Sequence, residues 1–293
     1  MAVAQFSYLV GFIGSDTGRS LGFALHEREA QRHGLRYLCR RLDADLWASR
    51  ERDMRGLLRA CGDFGFSGLG VASPYQHLVV PYVDELSEAA ARVQSVDVVV
   101  FTQDGRTVGH NTDVAGCVAA FLRGLPGVPL GRVVQIGAGA AGVTAAHALR
   151  DQGVRHLSVM DPDPGRARTL AEALNQGAGP DWAEVFPADA LASRLKQADG
   201  LVNTLASARV ESRDAARPDV LHRGLWIFDT HHHSIHTPLL RAGSVLGCRV
   251  LHGGGVLVHE AAAAFRLVTG LAPHTSYMFG DFADLTAGPK AHT

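Results

Sequence analysis

Val133-Val134-Gln135-Ile136-Gly137-Ala138-Gly139-Ala140-Ala141-Gly142 is an apolar strand running into G-x-G-x-x-G, and it lies in the middle of the chain rather than at its start. This is the dinucleotide-binding fingerprint. Gly137 permits the tight turn, Gly139 lets backbone approach a pyrophosphate, and Gly142 lets the following helix pack on the strand. Ala138, Ala140 and Ala141 complete the turn, and the helix N-terminus offers N–H groups and a positive dipole end to phosphates. Glycine-rich turns also arise for structural reasons, so context decides. Val143, Ala146 and Leu149 give the next segment an apolar helical stripe. His156-Leu157-Ser158-Val159-Met160 then reads as a second strand ending at Asp161, 19 residues past Gly142.

Asp161 is placed to accept hydrogen bonds from the adenosine ribose hydroxyls, and its charge repels a 2′-phosphate. The nearby arginines, Arg166 and Arg168, fall inside a helix that Asp163 caps and Pro164 opens, where they read as a solvated face. NAD is therefore expected in preference to NADP.

With 293 residues the chain is long enough for two domains. Its 28 Lys and Arg balance 29 Asp and Glu, which gives no electrostatic case for nucleic acid or an anionic membrane. Cys39, Cys61, Cys117 and Cys248 form no C-x-x-C pair and read as reduced thiols of a cytoplasmic protein. The first residues carry no basic n-region and the chain no transmembrane run, while residues 286–293 read as a loose tail.

Before the fingerprint, strands are expected at Ser7–Ile13, Leu35–Leu42 and Phe66–Val71, with helices at Ser20–Gln31 and Glu51–Cys61. Val96–Phe101 and Arg106–Gly109 flank Gln103-Asp104-Gly105, whose Asp-Gly marks a hairpin. A helix from Asp113 to Leu122 leads into the loop 124–129. Further strands follow at Gly200–Asn203, Leu225–Phe228 and Arg249–Leu251, and a late helix at Val256–Thr269. Such alternation implies parallel sheets with helices on both faces. The expected fold class is α/β: an N-terminal α/β substrate domain (1–112), a Rossmann-type doubly wound parallel sheet (113–255), and a C-terminal helix with its tail (256–293). Ligands are expected at strand C-termini in the cleft between domains.

The chain resembles the shikimate/quinate dehydrogenase family over nearly its full length. The segments that carry the resemblance are Gly18-Arg19-Ser20-Leu21, Val71-Ala72-Ser73-Pro74-Tyr75-Gln76, Gly109-His110-Asn111-Thr112-Asp113-Val114-Ala115-Gly116, the fingerprint, Thr237-Pro238-Leu239-Leu240, and Gly253-Gly254-Gly255-Val256-Leu257-Val258-His259-Glu260. The resemblance implies hydride transfer between a nicotinamide and a secondary alcohol or ketone on a ring. It adds Asn203, Gly253 and Gly255 to the cofactor side. In that family a lysine and an aspartate handle the proton of the reacting hydroxyl. The aspartate matches Asp113, but the lysine falls on Gln76, which donates a hydrogen bond and cannot titrate.

Other substrate positions depart as well. Ser20 keeps the first serine of a carboxylate clamp whose second serine and proline become Gly22 and Phe23. The threonine and histidine of the lysine's segment become Ala72 and Tyr75. An asparagine that contacts ring hydroxyls becomes Asp97, a late-helix glutamine becomes Glu260, and a tyrosine becomes His232. Ser20, Thr112 and Asp113 are retained. The implied pocket has lost a cation and gained up to two carboxylates, which points away from shikimate itself and toward a neutral or amino-bearing ring. Asp113 is the expected proton handler and Gln76 the holder of the reacting oxygen, with Tyr75 or His232 as alternative acid–base groups. Ser20, Asp97, Thr112, His232 and Glu260 are expected to orient substrate.

Plainer readings stand beside these. Asp113 and Glu260 also read as dipole-favoured first-turn residues, and Gln76 and Tyr75 as surface residues after a strand. His231-His232-His233 with His236 invites a metal, but successive strand residues face opposite sides, and no acid or thiolate sits at suitable spacing, so no metal is expected. The expected partner is a small cyclic molecule, and the chain is expected to be a monomer or homodimer. The alternative is a nucleotide-binding sensor or regulatory homologue with little or no dehydrogenase activity.

Overall fold

The computed structural model describes residues 7–14, 21–44, 54–179, 181–206, 209–231 and 236–287. The chain divides into two compact units, Met1–Asp113 with Val258–Thr293, and Val114–Leu257. Among the described residues no helix is long and apolar enough to cross a membrane.

The first unit is built on six strands: β1 (Ser7–Gly14), β2 (Arg36–Asp43), β3 (Gly68–Val71), β4 (Glu85–Leu86), β5 (Val98–Phe101) and β6 (Thr107–His110). Their order in the sheet is β2-β1-β3-β5-β6-β4. β1 runs parallel to β2 and β3, whereas β5 is antiparallel to both β3 and β6. The sheet is therefore mixed, as the hairpin expected at Gln103-Asp104-Gly105 requires. The cause is local. The turn at Asp104-Gly105, with Gly105 at φ +83°, reverses the chain and pairs Phe101 with Thr107 and Val98 with His110. Ile13, Leu58, Leu69, Val71, Val96 and Val99 form the core beneath it.

The second unit carries β7 (Arg132–Ile136), β8 (His156–Met160), β9 (Ala183–Val185), β10 (Gly200–Asn203), β11 (Trp226–Asp229) and β12 (Arg249–His252). The order is β12-β11-β10-β7-β8-β9, and every pairing is parallel. The chain steps from β7 outward through β8 to β9, then crosses back to β10 and continues the other way. The ends of β7 and β10 thus form the topological switch point at which open parallel sheets bind ligands. Trp226, Phe228, Ile136 and Leu157 are almost wholly buried in this unit. β4 and β9 carry too short a pattern to be read from sequence, and the helix Thr275–Thr286 is not among the expected elements. The helix Pro164–Ala178 starts as its residues dictate, the Asp163 carboxylate accepting from Gly165 N at 2.9 Å with Pro164 in the first turn. All four cysteines are free, and burial pushes the Cys39 and Cys61 thiols up to about 12 and about 11.

Candidate active site

In the second unit the fingerprint adopts the geometry its glycines allow. Gly137 sits at φ +107°, and a Cβ there would collide with Thr204 Oγ1, because the turns after β7 and β10 touch. A Cβ on Gly142 would collide with the Gly137 carbonyl oxygen, so glycine is what lets the helix Ala140–Asp151 lie against the turn. Gly139 is the N-cap, in extended conformation, and a Cβ there would meet nothing within 4 Å. Open space over Gly139, beside first-turn amides without intrahelical partners, fits the pyrophosphate of a dinucleotide.

Two side chains hold this turn. Gln135, wholly buried, donates from Nε2 to the carbonyls of Gly137 (2.8 Å) and Gly142 (2.9 Å). Sequence reasoning misses this brace, although a glutamine within a buried strand is its signal. Asp161 accepts from Ala138 N at 2.7 Å and from Asp163 N at 2.8 Å, which fixes its carboxylate at the end of β8 beside the glycine turn. A carboxylate has about four acceptor sites, so two remain for ribose hydroxyls. Asn203 is placed differently from a ligand-facing amide. It is 1% exposed, accepts from Leu205 N and Ser212 Oγ, and donates to Leu205 O and Asp229. Gly253 and Gly255 are buried, and a Cβ on Gly253 would strike the Thr230 carbonyl oxygen. Glycine at 253 thus allows close backbone approach after β12. His231 donates from Nδ1 to the buried Asp229 at 2.6 Å; His232 lies outside the described residues.

In the first unit the structure brings Gln76, Asp97, Thr112, Asp113 and Glu260 together. Gln76 lies in the short helix Tyr75–Leu78, which follows β3, and its carbonyl accepts from Val96 N at 3.0 Å. Its Nε2 donates to Asp113 Oδ2 at 3.1 Å. Thr112 donates from its backbone N to both oxygens of Asp97 (2.8 and 2.7 Å) and from Oγ1 to one of them (2.8 Å). Asp97 is 7% exposed. Burial pushes its carboxyl well above the usual carboxylate range, and the adjoining Asp113, which is hydrogen-bonded to it, pushes the same way. Thr112 offsets this in part, and Glu260 adds to it. Glu260, half-buried as a residue but with its carboxyl shielded from water, is likewise raised by burial and then by Asp113. The leading charged influences on both groups are carboxylates. The chain holds two lysines, Lys196 and Lys290, and neither lies near this cluster in sequence. Tyr75 packs against the apolar core of the unit. Ser20 lies outside the described residues.

An all-parallel sheet with the glycine turn at its switch point defines a Rossmann-type dinucleotide-binding protein with a second α/β unit. Residues 12–99 match the shikimate dehydrogenase substrate binding domain. A shikimate dehydrogenase (NADP(+)) of Streptomyces avermitilis is 45% identical over 290 residues, 99% of each chain. A quinate/shikimate dehydrogenase (NAD(+)) of Corynebacterium efficiens is 38% identical over 95% of this chain and 99% of its own. The structure of quinate dehydrogenase from Corynebacterium glutamicum in complex with NAD superposes with a TM-score of 0.88 at 36% identity, covering 95% of this chain and 99% of that one. The chain belongs to the shikimate/quinate dehydrogenase family.

Proposed function

We propose that this protein is an NAD(P)-dependent dehydrogenase that interconverts a secondary alcohol and a ketone on a hydroxylated ring, with Asp113 as the group that takes and returns the hydroxyl proton. The observation that carries the reading is the 3.1 Å hydrogen bond from Gln76 to Asp113, at the two positions where the family pairs lysine with aspartate. A glutamine amide has two N–H donors. One is spent on Asp113, and the other is left for the reacting oxygen, which Gln76 would hold without supplying a proton. The nicotinamide, when bound, supplies the hydride exchange at the carbinol carbon. The titratable partner that the lysine no longer provides is Asp97, whose carboxyl pKa burial raises and which is bonded to Asp113. Thr112 fixes Asp97, and Glu260 borders the same space.

NAD is proposed over NADP because Asp161 stands at the end of β8 with its carboxylate held next to the glycine turn. The expectation that shikimate is not the substrate gives way, since the relative at 45% identity carries that name. Shikimate and quinate therefore head the panel, with neutral and amino-bearing ring alcohols beside them, because Asp97 and Glu260 favour groups without negative charge. The test follows nicotinamide absorbance with each alcohol and each nucleotide, alongside nucleotide binding by fluorescence. Turnover that is lost in Asp113→Asn and faster with NAD supports the reading. Gln76 also favours a second reading, a nucleotide-binding sensor, and binding of NAD with no turnover on any ring alcohol would establish it instead. No nucleotide binding at all would overturn both.

A further inference from the structure

Glu29 is a charged residue with no exposed surface, far in sequence and distinct in composition from the carboxyl cluster just described. It lies in the helix Leu21–Arg32 of the first unit, and His33 follows it by one helical turn, on the same face. The third member comes from the other end of the chain, where His274 caps the helix Thr275–Thr286. Glu29 Oε1 lies 3.0 Å from His33 Nε2 and 2.9 Å from His274 Nδ1, and it also accepts the His274 backbone N–H at 2.6 Å. The three side-chain ligand atoms fall within 4.8 Å of one another.

We propose that Glu29, His33 and His274 form a divalent-metal site, with zinc as its ion, that fastens the helix Thr275–Thr286 to the helix Leu21–Arg32. Two imidazole nitrogens and one carboxylate oxygen, with a fourth position open to water, are a donor set that zinc takes. Bonds of about 2.0–2.2 Å in tetrahedral geometry set neighbouring ligand atoms roughly 3.3 Å apart, so only a small outward shift of the two rings admits the ion. Oε1 now faces three N–H directions with two lone pairs, and coordination replaces two of those contacts. Both imidazoles bind as neutral rings, each turning an unprotonated nitrogen to the ion.

The surroundings support a fixed site. Arg32 donates to the other oxygen, Oε2, at 2.9 Å, and to Asp281 at 2.5 Å, so the carboxylate is oriented with Oε1 turned toward the two imidazoles. Asp281 offsets the guanidinium charge and is itself on the helix Thr275–Thr286. The His33 ring stacks on Phe265 at 5.5 Å, an apolar wall on one side. The His274 side chain is 49% exposed, which leaves an entry path.

The test uses the untagged full-length chain, stripped with chelator and then dialysed against limiting zinc. The expected result is one zinc per chain by elemental analysis, a higher Tm with zinc than without, and the visible absorption of four-coordinate cobalt after substitution. His33→Ala and His274→Ala should each weaken zinc binding more than about tenfold. Glu29→Gln keeps the side chain's shape and one acceptor oxygen for the His274 amide, with Arg32 still paired to Asp281, so it should fold yet bind zinc poorly. His231→Ala/His236→Ala should retain the metal. No stoichiometric zinc, or zinc retained by His33→Ala/His274→Ala, overturns the proposal and leaves Glu29 as a hydrogen-bonded helix cap.

Discussion

Replacing Asp97 by asparagine isolates the energetic cost of burying its carboxyl beside Asp113. The side chain keeps its shape and loses its titration. In the folded chain the Asp97 pKa is raised, by burial first and by Asp113 second, whereas in the unfolded chain it takes the ordinary value of about 3.9. Between those two values the folded state binds the proton and the unfolded state does not. The wild-type protein is therefore destabilised as pH rises through that window, by about 1.4 kcal/mol per pH unit. The amide of the variant carries no such dependence, so the stability of Asp97→Asn relative to wild type should rise with pH from about pH 4 upward. Two pH units of the window are worth about 2.7 kcal/mol. Thr112 N approaches both carboxylate oxygens and an amide offers one, which subtracts a pH-independent term of about 1 kcal/mol. The slope, not the intercept, is the observable. Urea denaturation of both proteins at pH 4, 5, 6 and 7 measures it. A stability difference flat in pH would refute the reasoning. A difference that turns against asparagine as pH rises would do so too, because it would mean that Asp97 is ionised and held by Thr112.

Gln76→Lys places an ammonium where the amide now meets Asp113 at 3.1 Å, and turnover on the best ring alcohol should rise by roughly 10²–10⁴; absorbance kinetics showing no gain would remove Gln76 from the reacting centre. Gly142→Ala drives a Cβ into the Gly137 carbonyl, and nucleotide binding by fluorescence should be lost while the circular dichroism of the sheet persists. Asp161→Ala removes the acceptor for Ala138 N and Asp163 N, so NAD affinity should fall while discrimination against NADP shrinks by about tenfold or more. Equal losses for both nucleotides would show that the carboxylate only supports the turn.

What the sequence makes legible is what depends on neighbours along the chain. The strand, glycine turn and helix from Arg132 to Asp151 follow from apolar periodicity and the absence of three Cβ atoms, and the hairpin at Asp104-Gly105 follows from turn chemistry. The helix beginning at Pro164 is announced by its cap. Strands of two or three residues, such as β4 and β9, give no periodicity to read, because sheet neighbours rather than their own pattern hold them. The gathering of Gln76, Asp97 and Asp113 is reached by resemblance, since residues 37 apart carry no local signal of a shared hydrogen bond. Asn203 shows the opposite difficulty. An asparagine ending a strand at the switch point invites a ligand role, yet its amide is consumed by Leu205, Ser212 and Asp229. Glu29 and His274, 245 positions apart, are invisible for the same reason as Gln135: the bond that matters joins a side chain to a distant partner or to backbone.

The scarcity of lysine has a consequence for chemical probing. With Lys196 beyond the helix Leu191–Leu195 of the second unit and Lys290 in the last residues, the carboxyl cluster contains no primary amine among the described residues. Under the proposed reaction, a ring ketone would meet no amine among those residues with which to condense to an imine. Borohydride added during turnover should leave no covalent label at this site, and amine-directed acylation should spare it entirely.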